Sequence, residues 1–345
     1  MVHPAEQFGA FSGLVSSGYA AVSFFFMLSG LILTYTYGEA FERGEVPFRR
    51  FLIARLARIY PVYLVCTLMA AWVYRSQLHP AYHALALLGD IFLLQAWSIR
   101  ITSFFNVPGW SLSAEAFFYV MFPFLVLRIR KARRSHLMIL FGLLWCAAMV
   151  VPVLGTCIDP VGGLRETAGG GHNLVFAIRR YPIFFLPVFA AGVALGWFHL
   201  RFRLSTVRAQ GLLFCGLVLT LVLLWNSARL PFLLLHNGLL LPLYAAIILG
   251  LCYPGPLGRS LSSKPMLILG ETSYAMYLFH YQYNDLVKNT FHLPESVTGL
   301  FWRLLVIIPA SVALYFGVER PCRKLILRMS RPRGVKIPSA QLAGM

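Results

Sequence analysis

The chain has 345 residues, of which 59% are hydrophobic and only 12% are charged. A soluble domain is about 45–50% apolar and about 25% charged, so this composition excludes an ordinary soluble fold and indicates an integral membrane protein. The formal net charge of +18 would suit nucleic-acid binding, but the lysines and arginines bracket the apolar runs and form no single basic face. We therefore expect membrane lipid, and no nucleic acid, around this chain.

The apolar runs predict an all-α fold, a polytopic transmembrane helix bundle. Each run is close to the length of about 20 residues with which a helix crosses a bilayer. About nine spans are expected, at residues 17 to 37, 52 to 74, 110 to 127, 136 to 155, 182 to 200, 208 to 226, 231 to 252, 265 to 286 and 298 to 318. We expect residues 1–330 to form a single membrane domain and residues 331–345 a cytoplasmic tail.

A further apolar run at residues 83 to 98 is short and contains Asp90. The basic clusters alternate between the two sides correctly only if this run makes no net crossing, which predicts a re-entrant or protein-buried helix. The clusters that should be cytoplasmic are Arg43 to Arg58, Arg128 to Arg134, Arg201 to Arg208, Arg259 with Lys264, and Arg320 to Arg333. The C-terminus is then cytoplasmic and Met1 lies outside, which suggests one further helix before Met1.

Ionisable side chains at membrane depth are costly, so each one is a candidate functional residue. The segment NVPGWSLSAEAFFYVMFP, residues 106–123, puts Ser111, Glu115 and Tyr119 on one helical face after a Pro-Gly break. This carboxylate either serves chemistry or forms a structural hydrogen bond between two helices.

Two other segments carry polar residues at helical spacing. LGETSYAMYLFHY, residues 269–281, aligns Ser273, Tyr277 and His280, and His280 is either a base or a packed structural histidine. Arg55 and Arg58 stand one turn apart at a predicted cytoplasmic mouth, where they either bind phosphate or only anchor the topology. The six cysteines show no C-x-x-C spacing, so we expect no metal site.

Five motifs in order resemble the acyltransferase 3 family of bacterial integral-membrane O-acyltransferases. They are GYAAVSFFFMLSGLIL at 18–33, ARLARIYPVY at 54–63, VPGWSLSAEAFFYVMFP at 107–123, LGETSYAMYLFH at 269–280 and VERPCRK at 318–324. They are similar to the family's G-V-D/S-x-F-F-x-L-S-G, R-x-x-R-I-x-P, W-S-L-x-x-E-x-x-F-Y, G-x-x-S-Y-x-x-Y-L-x-H and E-x-P patterns. The resemblance covers nearly the whole chain.

The resemblance implies a cytoplasmic acyl-CoA donor, most often acetyl-CoA, and no permanently bound cofactor. Arg55 and Arg58 match the positions that handle the donor's phosphates, and Glu115, His280 and Glu319 match other polar positions of the family. The family has ten helices with both termini cytoplasmic, and its first helix carries an Arg and a His. This chain lacks that helix and that Arg, His3 matches the His, and Ser23 replaces a frequent Asp.

The implied reaction is direct transfer, in which His3 as base takes the proton from a sugar hydroxyl that attacks the thioester. Trp110, Ser111 or Tyr119 would supply donors to the oxyanion. Ser29 would otherwise be a nucleophile that forms an acyl-enzyme, but we prefer a packing role for it beside Gly30.

The predicted function is O-acylation of a cell-surface or secreted glycan or glycolipid by an enzyme of the bacterial cytoplasmic membrane. Two other classes stay open. A transporter or flippase would also carry intramembrane Glu and His and basic mouths. An inactive scaffold relative would keep the same helices without catalysis.

Overall fold

The computed structural model describes residues 11–73, 80–98, 105–158, 173–291 and 297–330. Within these ranges the secondary structure is helical and contains no strand, which confirms the all-α prediction. In the described part of the chain, eight helices are long and apolar enough to cross a membrane. They comprise Gly18–Glu42, Phe48–Val73, Val107–Ile129, Arg134–Ile158, Ala177–Arg201, Thr206–Trp225, Phe232–Leu251 and Thr298–Met329.

The chain divides into two compact units. Unit 1 comprises Met1–Gly38, Phe124–Ser263 and Glu295–Val297, and unit 2 comprises Glu39–Pro123, Lys264–Pro294 and Thr298–Met345. The helices in chain order are α1 Ser12–Ser16, α2 Ala21–Glu42, α3 Phe48–Val73, α4 Pro80–Ile91, α5 Trp110–Ile129, α6 Arg134–Ile158, α7 Asn173–Arg180, α8 Pro182–Arg201, α9 Thr206–Trp225, α10 Phe232–Asn237, α11 Leu241–Leu251, α12 Pro256–Leu261, α13 Lys264–Phe291, α14 Val297–Leu314 and α15 Arg320–Met329.

Eight of the nine predicted spans coincide with these apolar helices. The ninth, predicted at residues 265 to 286, is a single helix, α13, of 28 residues. That helix is long enough to cross a membrane. It is not among the eight apolar helices, because it contains polar residues such as Glu271 and His280. The run that contains Asp90 forms α4, which has 12 residues and is shorter than the about 20 needed to cross.

Close contact between α2 and α8 organises unit 1. A Cβ atom added at Gly192 would lie 2.0 Å from the carbonyl oxygen of Met27, and one added at Gly30 would lie 2.3 Å from that of Phe189. Any larger residue at these two positions would force the helices apart, so the glycines let the backbones touch as small residues do in membrane bundles. Elsewhere in unit 1, α6 packs on α8 and α9 packs on α11.

Helix α3 is the centre of unit 2. It packs against α4, α13 and α15, and against the π-helical turn Tyr315–Glu319 that joins α14 to α15. A π-turn inserts one extra residue into a helix and is frequent at functional sites. Because of this packing, polar residues on α3 meet side chains from regions of the sequence that lie far apart.

A compact turn connects α2 to α3. Gly44 adopts a φ of +69°, a backbone conformation that glycine reaches without steric cost. The guanidinium of Arg43 hydrogen-bonds Glu45, with Nε 2.6 Å from Oε1, and this contact lowers the pKa of the Glu45 carboxyl. The pair is exposed to solvent, so it shapes the turn but adds little stability.

Candidate functional site

The first part of the candidate site is the pair of arginines on α3. The Arg55 side chain is only 4% exposed, whereas Arg58, one turn further along, is exposed. Phe51, one turn earlier, lies against the rings of Tyr119 and Phe122, at centroid distances of 6.3 Å and 5.3 Å. The same aromatic packing that holds α3 against α5 therefore carries Arg55 into the interior of unit 2.

Helix α5 supplies a carboxylate and a phenol. The hydroxyl of Tyr119 donates a hydrogen bond to Oε1 of Glu115 at 2.6 Å, as expected for residues four apart on one helical face. Tyr119 is 3% exposed, and the charges of Glu115, Arg55 and Arg58 all act on it. The structure thus brings together four of the residues predicted from two separate motifs.

The π-turn supplies a second carboxylate. Glu319 is its last residue and is 3% exposed, and the positive charges of Arg58 and Arg323 act on it. Arg323 lies one turn into α15, and the charges of Arg58 and Arg55 act on it in turn. The sequence prediction included Glu319 but missed Arg323, although Arg323 stands in the quoted motif VERPCRK.

Tyr274 ties α13 to the arginine-bearing helix. Its hydroxyl donates a hydrogen bond to the carbonyl of Ile59, the residue after Arg58. The charges of Glu115 and Glu319 both act on Tyr274, so its ring lies near both carboxylates. The prediction missed this tyrosine, even though it belongs to the motif LGETSYAMYLFH.

A second set of predicted residues meets where α5 begins. The hydroxyl of Ser111 lies 3.0 Å from that of Tyr277 on α13 and donates to the carbonyl of Pro108 at 2.9 Å. Nδ1 of His280 hydrogen-bonds the carbonyl of Tyr277, and the centroids of the His280 and Tyr277 rings are 5.8 Å apart. Trp110, the first residue of α5, is 6% exposed.

Ser29 and His3 complete the set of predicted site residues. Ser29 lies on α2 in the part of the chain that forms unit 1, directly before Gly30, which touches the α8 backbone. That position agrees with a packing role and leaves the nucleophile role without support. His3 lies outside the described residues.

Unit 1 contains a buried polar contact of its own that the sequence prediction missed. Ser23 donates a hydrogen bond to the carbonyl of His236 at 2.7 Å, and the imidazole of His236 lies 2.9 Å from the amide oxygen of Asn237. The Tyr19 ring stacks on the imidazole at a centroid distance of 5.8 Å. Ser23 is therefore a structural link between α2 and α10, despite the acidic residue that is frequent at this position in the family it resembles.

The residues gathered in unit 2 suit anion binding and proton transfer. Guanidinium groups bind phosphate through charge-assisted hydrogen bonds, and carboxylates or an imidazole hold and move protons. Among the residues that the structure describes, no three His, Cys, Asp or Glu side chains lie close enough together to hold a metal ion.

The fold and the site together define a polytopic helical membrane protein with ionisable residues gathered inside one helical unit. Comparison with known proteins gives the family. A family model described as an acyltransferase domain matches residues 1–320, and the chain belongs to that family. It is therefore a membrane acyltransferase, as the five motifs indicated.

Named relatives agree with this assignment. Acyltransferase MdmB of Streptomyces mycarofaciens is 29% identical over 91% of this chain and 83% of its own length. The putative peptidoglycan O-acetyltransferase YrhL of Bacillus subtilis (strain 168) is 27% identical over 89% of this chain and 51% of its own length. O-acetyltransferase OatA of Staphylococcus aureus is 22% identical over 90% of this chain and 53% of its own length.

The chain spans about half the length of YrhL and OatA, whose activities belong to longer proteins. No solved structure matches this chain.

Proposed function

We propose that this protein transfers an acyl group, most often acetyl, from cytoplasmic acyl-CoA to a hydroxyl group of a cell-surface or secreted glycan or glycolipid. The enzyme works in the bacterial cytoplasmic membrane. The family supplies the reaction class. The names of YrhL and OatA, which are O-acetyltransferases, support an acetyl group, and the name of YrhL supports a carbohydrate acceptor.

The observation that carries the proposal is the burial of Arg55. An arginine that only anchors a helix end to the cytoplasmic surface keeps its guanidinium in water. Arg55 is instead 4% exposed and shares its surroundings with Tyr119 and Arg323. Burying a permanent charge is costly unless an opposite charge and hydrogen bonds compensate for the lost water. The phosphates of CoA would supply such a charge, with the exposed Arg58 as the outer contact.

The proposed reaction forms one bond and breaks one bond at the thioester carbonyl. The acceptor oxygen bonds to the carbonyl carbon, the carbon–sulfur bond breaks, and the hydroxyl proton passes through a base to the CoA sulfur. The proposed base is His3, and Glu115 and His280 serve proton transfer or orientation. Trp110, Ser111 and Tyr119 are the proposed donors to the oxyanion.

The direct test uses the purified full chain in lipid nanodiscs. Binding of acetyl-CoA, followed by release of CoA thiol when cell-envelope glycan is supplied, is the expected result. In parallel, deletion of the gene should remove from a surface or secreted glycan the mass that an acetyl group adds. A protein that neither binds nor consumes acyl-CoA would contradict the proposal, and unchanged glycans with transport of a lipid-linked sugar would favour a flippase.

A further inference from the structure

Unit 2 contains a second buried polar cluster, separate from the arginines. It consists of Tyr63, Asp90, Gln95 and Asn106. Tyr63 stands on α3 eight residues after Arg55, which corresponds to about 12 Å along the helix axis. The cluster therefore lies deeper than the arginine pair, measured from the predicted cytoplasmic end of α3.

Hydrogen bonds hold the four residues around the start of α5. The Tyr63 hydroxyl donates to the carbonyl of Asp90 at 2.8 Å and accepts from Nε2 of Gln95 at 3.0 Å. Nε2 of Gln95 also donates to the carbonyl of Gly109 at 2.7 Å, and the Gly109 amide donates to the carbonyl of Asn106 at 2.8 Å. One network thus connects α3, the end of α4 and the turn before α5.

The backbone between Asp90 and Gln95 is strained. Leu93 has a φ of 56°, which is rare for a residue with a side chain. The hydroxyl of Ser113 keeps the turn in place, because it donates to the Leu93 carbonyl at 2.5 Å and accepts from the Ala96 amide at 3.4 Å. Strain of this kind persists where the surrounding structure holds it, and it concentrates at functional sites.

The cluster leaves polar atoms unused. Among the residues that the structure describes, no partner reaches Oδ2 of Asp90, Oε1 of Gln95, or either amide atom of Asn106. These three side chains are 2%, 0% and 2% exposed. Buried polar groups in native proteins are nearly always hydrogen-bonded, so several unused groups in one place call for an explanation.

The chemistry of the unused atoms defines the ligand. One carboxylate oxygen and one amide oxygen accept hydrogen bonds, and the Asn106 amide both accepts and donates. An anion accepts hydrogen bonds only, and among the unused atoms of these side chains it would find three oxygens and a single amide N–H group. An apolar group would leave every one of these atoms unpaired. Hydroxyl groups, which donate and accept, match the set.

We propose that Asp90, Gln95 and Asn106 bind hydroxyl groups of the acceptor and so position it for acylation. This inference rests on the proposed function. The site stands beside the predicted catalytic residues, since the Pro108 carbonyl, two residues after Asn106, accepts from both Ser111 and Tyr277. The bound hydroxyl oxygen forms the new ester bond, its proton goes to the CoA sulfur, and the carbon–sulfur bond breaks.

The test replaces the unused atoms with apolar groups of similar shape. Asn106→Leu and Gln95→Leu are introduced into the full chain, together with the control Thr220→Val, which removes a buried and unpartnered hydroxyl in unit 1. Each variant complements a strain from which the gene has been deleted. The readouts are the acetate that mild alkali releases from envelope and medium, the binding of acetyl-CoA to the purified protein, and the Tm.

Both leucine variants should lose alkali-labile acetyl by about tenfold or more, because a site built for hydrogen bonds rejects a ligand when its partners are removed. Asn106→Leu should bind acetyl-CoA normally and keep or raise its Tm, because an unpaired amide only destabilises the fold. The Thr220→Val variant should behave like the wild type.

Two outcomes would overturn the inference. Full acetylation by both leucine variants would mean that the amides bind only water. Lost acetyl-CoA binding or a lowered Tm in the Asn106→Leu variant would give this amide a structural role, whereas Gln95→Leu also removes the hydrogen bonds to Tyr63 and Gly109. Failure of the proposed function is distinguishable, because the wild-type protein would then bind no acetyl-CoA and its deletion would leave the alkali-labile acetyl unchanged.

Discussion

Arg55 is the residue at which charge and burial conflict most directly. Arginine is a permanent cation in proteins, and Arg55 is only 4% exposed. Its surroundings include the Tyr119 phenol and the second guanidinium of Arg323. Two cations close to each other lower their repulsion when an anion lies between them, which gives the arginines a physical reason to hold a phosphate.

Substitution of these arginines tests that role. Arg55→Ala and Arg58→Ala should each raise the KM for acyl-CoA by about tenfold or more, because each removes a charge-assisted contact. Initial rates of CoA release at varied donor concentration give this value. Arg49→Ala is the matched control, since Arg49 lies on the same helix and is exposed. If all three variants kept the wild-type KM for acyl-CoA, Arg55 and Arg58 would only help to orient the helix in the membrane.

Glu115 and His280 test the proton chemistry. Glu115→Gln keeps the size of the side chain but removes its charge, and His280→Ala removes the imidazole. Both variants should insert into the membrane at normal levels and show no transfer, because proton transfer and orientation depend on these groups. Product formation and membrane abundance are measured together. Wild-type turnover in either variant would exclude that residue from the site.

Spacing and motif order predicted part of this site and missed another part. Glu115 and Tyr119 were predictable because residues four apart on a helix always share a face. Asn106 and Gln95 were not, because their meeting depends on the left-handed backbone of Leu93 and on the 3-10 turn before α5. A hydrophobicity pattern contains no information about such turns. Arg323 was missed because the sequence does not show the π-turn before α15, and so it does not show which face of α15 carries this residue.

At the scale of single helices, hydropathy predicted the apolar spans well and the polar helix less well. Helix α13 spans 28 residues, but its polar side chains lower its apolar character. A helix that faces protein on several sides tolerates such side chains because neighbouring helices satisfy them. Tyr274 and Tyr277 are examples, since the Tyr274 hydroxyl donates to α3 and the Tyr277 hydroxyl donates to the turn before α5.

The π-turn Tyr315–Glu319 sets the rotation of everything after it. Deleting Cys322, which lies in α15 shortly after this turn, should rotate the rest of α15 by about 100°, which is the angle between successive residues of an α-helix. Arg323 would then leave the arginine cluster, and transfer should be lost while the protein still inserts. Activity and membrane abundance of the deletion variant are measured side by side.

Cys322→Ala is the control for this deletion. The Cys322 side chain is partly exposed, so replacing it with alanine removes little packing. This substitution should therefore keep activity near the wild-type level. An active deletion variant would show that the phase of α15 is unimportant to the site.

At the scale of the whole molecule, the charge of the loops predicts which side each one faces. In a variant without the six native cysteines, Ala228→Cys after α9 should react with a membrane-impermeant maleimide in intact spheroplasts. Arg203→Cys before α9 should react only after the membrane is opened, because basic loops stay in the cytoplasm. The reverse labelling pattern would invert the proposed topology and place the arginine pair away from cytoplasmic acyl-CoA.

The two units alternate along the sequence, since each one is assembled from separated stretches of the chain. Arg55 is therefore synthesised early and Glu319 near the end of translation. The arginine cluster is thus complete only when synthesis is nearly finished. A chain that ended before Glu319 would carry Arg55 and Arg58 but would lack the carboxylate of the π-turn and the guanidinium of Arg323.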